Sequence, residues 1–499
     1  MADEIIAHPT YMEHIRHFFE EIDLAHMAAP QAGVDLSTYA LLSARANDVY
    51  LHTLQPDGDM PAVQGKSGVV PDPDRKWSAE RSASFLNWIT DGMPIGVPSP
   101  APVEPTDASR IRKDAASLSA DEVATLAQAF QGLYDRDPTD PQSYFALAGQ
   151  HWYPPPNECK HHNDLYLPWH RILMRHFEDA LRSVPGCADV TIPFWDITAQ
   201  PPDFLFQPPF ASYTSPIEIF APQYPAGYTT SRFDAQTIAE QVSQNAIPET
   251  IADAMTKFQW GMHITGIWQA HDAGHPSCGQ SMATPDVAAF DPIFWFFHAN
   301  WDRLWWEWQK IMQATAYWTF RSTIFGSPAF LQAPLNTLSP FTETADMTID
   351  LTATGVDYAP PAAPVPGPPN VRAAALGSLV AARNVNVAPA PQVSVMLKGI
   401  DRLSIPGTFR ATLKADGEPL TRKFFFQSTE PRTCEACRNE PVTDLTFLVD
   451  ADAIVGRPLT VDLEVLDRED PRKGTLVPAR VYGHPTINVR LLLEESSQE

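Results

Sequence analysis

The spacing of apolar and polar residues divides this chain into regions of different structure. In "SADEVATLAQAFQGL", Val123, Leu126, Phe130 and Leu133 recur at helical spacing and fall on one face. Ser119 and Glu122 form a capping box in front of them, and Asp135 to Pro138 stops the helix. Past about residue 392 the period becomes two. "TFRATLK" alternates at Phe409, Ala411 and Leu413, "TVDLEVL" at Val461, Leu463 and Val465, and "INVRLLL" at Ile487, Val489 and Leu491. With turn signals such as "ADGE", these short strands predict an antiparallel β-sandwich. Proline marks the joints: "PSPAPVEP" (Pro98–Pro105) and "APPAAPVPGPP" (Ala359–Pro369) read as extended linkers. The expected organisation is multi-domain and mainly α. It has a small N-terminal helical domain over 1–100, a helical-bundle domain over 106–355, a Pro/Ala-rich linker over 356–392 and a C-terminal β-domain over 393–499.

Composition narrows the partners. The 499 residues carry 35 basic against 60 acidic side chains, a net charge of −25. Nucleic acid and anionic membrane both need basic surface, so neither is an expected partner. No run reaches the length of a spanning helix. The acidic start, Met-Ala-Asp-Glu, carries no secretory signal pattern, so a cytoplasmic location is expected, with export alongside a partner left open. Five cysteines, odd and sparse, indicate no disulfide framework and fit a reducing compartment.

The chemistry lies in histidine. Of the chain's 15 histidines, one group holds His151, His161, His162 and His170, and a second holds His263, His271, His275 and His298. "HDAGH" puts His271 and His275 four apart, on one side of a helix, where both imidazoles can grip one metal ion. "FDPIFWFFHANWDRLWWEW" surrounds His298 with rings and will be buried, and a buried imidazole needs a partner. All-imidazole sites suit copper, zinc, nickel or iron. Two separate triads suggest two metal ions within one bundle.

"SYFALAGQHW", "CKHHNDLYLPWHR", "IPFWD", "HDAGH" and "DPIFWFFHANWDRLWWEW" resemble the motifs of the type 3 copper family of tyrosinases, catechol oxidases and hemocyanins, over about residues 108–325. The resemblance implies two copper ions per chain that bind dioxygen between them. His151, His161 and His170 would hold the first, and His271, His275 and His298 the second. The family's spacing selects His161 over His162, and Cys159-Lys160-His161 matches the Cys-x-His pattern that some members join by a thioether. His162, His176 and His263 then read as structural or surface residues. Phe294, four before His298, matches an aromatic placed above the second copper and is expected to stack on the substrate ring. Asp272 stands where hydroxylating members often carry Asn, and no Glu lies between Glu249 and His271. Either Asp272 itself is the base for a phenol proton or the hydroxylase step is weak. Arg303, Asp302 and Asp196 are expected to pair within the fold.

The expected function is a tyrosinase acting in melanin-type chemistry. It hydroxylates monophenols beside their oxygen and oxidises ortho-diphenols to ortho-quinones, with dioxygen and small phenols as partners. The alternatives are a catechol or ortho-aminophenol oxidase without the hydroxylase step and a hemocyanin-like oxygen-binding protein. Subunit number, a homo-oligomer included, is left open. Related latent oxidases cover the copper pocket with an aromatic of a C-terminal domain, and Phe424, Phe425 and Phe426 are the candidates here. Cys434 and Cys437 form a Cys-x-x-Cys pair suited to copper loading or to a loop staple. The N-terminal region is similar to small bacterial cytochrome c modules, with His26 and Met60-Pro61 in place but both haem-attaching cysteines missing. A haem-less helical domain is therefore expected, with non-covalent haem on His26 and Met60 as the alternative.

Overall fold

The structure, a computed structural model, describes residues 4–29, 33–54, 58, 60–65, 68–71, 75–97, 109–152, 159–220, 223–361 and 392–491. The first proline-rich linker and nearly all of the second lie outside the described residues. Three apolar clusters organise the rest.

The first cluster gathers Tyr11, Met12, Phe85, Trp77 and Trp88. Around it pack α1 (Glu21–Ala28), α2 (Tyr39–Ser43), α3 (Ala46–Thr53) and α4 (Ala79–Thr90). An antiparallel hairpin, β1 (Ala62–Gly65) with β2 (Gly68–Pro71), departs from the all-helical expectation. The cytochrome-like character suggested by the sequence is not confirmed. Among the described residues, His26 is exposed on α1, and it is not among those lining the cavity that Met60 lines.

The second and largest cluster is the helical body: α5 (Ala120–Tyr134), α6 (Tyr144–Trp152), α7 (Tyr166–Arg182), α8 (Ala235–Gln244), α9 (Ile247–Thr256), α10 (Trp260–Cys278), α11 (Pro285–Ala288), α12 (Ile293–Ile311) and α13 (Tyr317–Arg321). The predicted capping box starts α5: Ser119 accepts from the Glu122 amide, and the Glu122 carboxylate accepts from the Ser119 amide. Leu126, Phe130 and Leu133 are buried, and Val123 is partly so. Strand β3 (Arg110–Arg112) pairs in parallel with β4 (Val356–Tyr358), tying the two ends of this body together.

A buried ionic network fixes the register of α7 against α12. Asp302, one turn beyond His298, receives Arg171, the residue after His170, on one oxygen. Its other oxygen takes Arg112 Nη1 at 3.1 Å and the Tyr358 hydroxyl at 2.6 Å. Arg112 Nε donates to Glu178 at 2.9 Å. Removing one partner from such a buried network leaves an uncompensated charge, which costs about 3–5 kcal/mol. The network therefore holds the helices that carry His170 and His298 in one relative position. Asp302 and Arg303 both pair within the fold, Arg303 with Glu307 and Asp196.

The third cluster is C-terminal. Its strands are β5 (Gln392–Asp401), β6 (Phe409–Ala415), β7 (Glu418–Phe425), β8 (Val442–Asp450), β9 (Leu459–Leu466), β10 (Gly474–Val477) and β11 (Thr486–Leu491). They form two antiparallel sheets, ordered β10-β9-β6-β7 and β11-β5-β8. Alternate side chains from both sheets, among them Val395, Phe447, Ala411, Leu413 and Leu463, meet in one core. Phe424, Phe426, Cys434, Cys437 and Leu466 instead join the helical cluster, so the β-domain docks on the helices through its own apolar residues. Among the described residues, no helix is long and apolar enough to cross a membrane.

Candidate metal centre

Four segments converge on one buried point. His151 ends α6, Cys159 and His161 precede α7, His170 sits in the second turn of α7, His271 and His275 share a face of α10, and His298 lies on α12. The ligand atoms of His151, Cys159, His161 and His170 lie within 4.8 Å of one another, as do those of His271, His275 and His298. The two groups face each other. His170 stacks on His298 with ring centroids 4.4 Å apart, and His161 stacks on His271 at 5.6 Å.

Hydrogen bonds fix the tautomers. A carbonyl oxygen only accepts, so His170 Nδ1–H donates to Tyr166 O at 2.8 Å and His275 Nδ1–H donates to Met282 O at 2.8 Å. His271 Nδ1–H donates to Asp272 Oδ1 at 2.9 Å. Each Nε2 is left as a lone pair aimed inward, and the Nε2 atoms of His271 and His275 lie only 2.9 Å apart. Neither nitrogen of His298 has a hydrogen-bond partner, nor has Nε2 of His151. Burial, reinforced by the neighbouring imidazoles, pushes His161, His170, His275 and His298 well below the ordinary histidine pKa, and His151 down to about 3. Crowded, neutral, inward-facing lone pairs repel one another unless a cation sits among them. The donor set therefore fits two metal ions, and imidazole suits copper.

Asp272 has its carboxylate fully engaged. Besides His271 on Oδ1, its Oδ2 takes His162 Nε2 at 2.7 Å and the Phe426 amide at 3.1 Å. Burial would raise this carboxyl, but His162 and His271 beside it hold it down to about 2. In this arrangement Asp272 orients His271, and both of its oxygens already accept hydrogen bonds. His162, expected to be a bystander, adopts a left-handed backbone (φ 56°) and turns its ring onto Asp272. No local sequence signal marks this pairing, since the partners are 110 residues apart. Replacing Asp272 by Asn is expected to weaken copper retention about tenfold, the effect typical of losing the partner behind a metal-binding imidazole. Competition against a chelator measures it.

The candidate aromatic residues divide between the helical core and the β-domain. Phe294 is fully buried, 4.1 Å from the His298 ring and 4.8 Å from His151. The ring that lies over the site is Phe426. It stacks on His275 at 3.9 Å with an 11° interplanar angle and meets His271 and His161 edge-on at 5.9 and 5.8 Å. Phe425 stacks on His162 at 4.2 Å and on Phe409 at 5.2 Å, and Phe424 is buried at the docking interface. Thr408 Oγ1 donates to Ala283 O at 3.0 Å, and Asp286 accepts from Ser428 and Thr429 at 3.3 and 2.6 Å, securing the same interface.

Cys159 Sγ lies 3.5 Å from His161 Nδ1, 3.7 Å from its Nε2 and 3.4 Å from His170 Nε2. Cys434 and Cys437 form a disulfide and are buried, in line with the loop-staple alternative for the pair. An oxidised pair has no thiolate to offer copper, so in this state it staples the loop after β7.

The chain matches the family described as the common central domain of tyrosinase over residues 141–222 and 221–311, a span that includes all six histidines and Cys159. It is 27% identical to tyrosinase HcTyr1 of Hahella sp. (strain CCB-MM4) over 249 residues, covering 40% of this chain and 53% of that one. It is likewise 27% identical over 231 residues to the A-type hemocyanin of Enteroctopus dofleini, covering 41% of this chain and 18% of that one. The chain thus spans about half the length of the Hahella relative. Its fold is similar to that of the tyrosinase from Burkholderia thailandensis, with a TM-score of 0.56 at 21% identity over 76% of this chain and all of the other. Opposed imidazole triads and a central domain that matches the tyrosinase family, on a helical core of the same fold, support a tyrosinase-like protein of the type 3 copper kind.

Proposed function

We propose that this protein is a dicopper phenol oxidase, held in a latent form by its own C-terminal domain. The carrying observation is Phe426, an aromatic ring laid flat on His275 against the centre of both triads. A ring docked there by the protein marks the place where a substrate ring docks when Phe426 is withdrawn. When bound by His151, His161 and His170 and by His271, His275 and His298, a copper pair supplies dioxygen binding and two-electron oxidation.

The remaining steps belong to the chain's own groups. His275 offers the face on which a phenol ring stacks. Asp272 keeps the His271 tautomer fixed, and the apolar shell from Phe294 and Phe297 excludes water. Each ortho-diphenol gives up two electrons and two protons to become an ortho-quinone, so reducing one dioxygen to water consumes two diphenols. Withdrawal of Phe426 also frees Asp272 Oδ2 from one of its donors, so that atom can accept a hydrogen bond from an entering phenol. Oxidation of ortho-diphenols needs no such acceptor before the ring binds. A catechol oxidase without hydroxylase activity is therefore the second reading, favoured by the full engagement of Asp272 in the closed form. The position of Cys159 Sγ supports a thioether to His161.

The test is to supply L-tyrosine and L-DOPA separately to copper-loaded protein, before and after mild protease or detergent. Quinone colour from both supports the full activity, and colour from L-DOPA alone supports the second reading. Dioxygen binding with no colour from either, even after activation, sinks the enzyme reading in favour of an oxygen-binding protein.

A further inference from the structure

The N-terminal helices enclose a cavity of about 190 Å³ that the copper chemistry does not use. An apolar protein cavity of about 150 Å³ is enough to hold a benzene ring. This one therefore has room for a single six-membered ring with a short substituent, and none for a four-ring porphyrin. Leu36, Val49 and Trp77 form a buried floor, and Phe19 meets Trp77 edge-on at 5.4 Å. A ring entering here finds aromatic edges and aliphatic faces, the surroundings that favour another aromatic.

The rim is charged, with both signs present. Arg45 and Asp48, both exposed, line the mouth from the start of α3, three residues apart on one side of the helix. Asp23 also lines the cavity but is held by Arg75. A guanidinium and a carboxylate, side by side above an apolar pocket, match a ligand whose ring carries an ammonium and a carboxylate on one carbon.

We infer that this cavity is a binding site for an aromatic α-amino acid, separate from the copper centre. Its ring would pack beside Phe19 and Trp77 over Leu36 and Val49, its carboxylate would meet Arg45 and its ammonium would meet Asp48. The site does not depend on copper or on the oxidase reading, so either can fail without the other.

Calorimetry on the full-length, metal-free protein tests this with L-phenylalanine, which has no phenol oxygen to oxidise. The expected result is binding of one molecule per chain, weakened about tenfold by Arg45→Gln and by Asp48→Asn and abolished by Leu36→Trp, which fills the cavity. Arg45 and Asp48 are exposed, so their variants keep the fold even if the cavity-filling one does not. Benzylamine and phenylacetate, each with one of the two charges, should bind at least about tenfold more weakly. No binding, or equal affinity in both charge variants, overturns the site. Equal affinity for a singly charged analogue overturns the two-charge assignment.

Discussion

His298→Ala protein is expected to hold about one copper ion per chain in place of two and to lose quinone formation by about a thousandfold or more. Removing only the hydrogen-bond partner behind a metal-binding imidazole costs about 10–100-fold, and removing the imidazole costs more. His298 is suited to the test because neither of its nitrogens has a partner and it stacks on His170 of the opposite triad. Alanine there removes one donor without stranding a hydrogen bond. Metal analysis beside an L-DOPA assay reads both quantities. Two copper ions retained with full activity would remove His298 from the centre and break the pairing of triads.

Phe426→Gly should act in the opposite direction and raise the rate of L-DOPA oxidation by roughly 30- to 1,600-fold without proteolysis. Burying a phenylalanine side chain is worth about 1.5–3 kcal/mol, and stacking on another ring adds about 0.5–1.5 kcal/mol. A total of about 2–4.5 kcal/mol converts to that range at ~1.4 kcal/mol per tenfold. The gain appears only to the extent that closed protein dominates at rest. Phe425→Gly is the control: its ring stacks on His162 and Phe409, so it should loosen docking without opening the face of His275 to the same degree. If both variants turn over no faster than the parent, the cap reading is wrong.

Sequence carried the parts of this account that depend on local spacing. The capping box of α5 and the alternation of β6 are read within single segments, because period and cap chemistry are set by near neighbours. The six imidazoles were legible through the resemblance of their motifs to the type 3 copper family, although they come from four separate segments. What was not legible depends on convergence. Asp272, His162 and the Phe426 amide meet across separations of 110 and 154 residues, and no periodicity records such a meeting. The choice among three consecutive phenylalanines was equally hidden. It follows from where β7 ends, at Phe425, which leaves Phe426 as the first residue free to leave the sheet and reach His275. The hairpin β1–β2 lay among residues read only as helical, and the oxidation state of Cys434 and Cys437 is not a property of spacing.

The ring over His275 belongs to the same polypeptide as the centre it covers, and this sets how occupancy responds to concentration. A tethered occupant meets its site at an effective molarity that does not change when the protein is diluted. The latent form proposed above would therefore be a unimolecular equilibrium: dilution into assay buffer would not relieve it, and a soluble competitor would have to outbid a neighbour that never diffuses away.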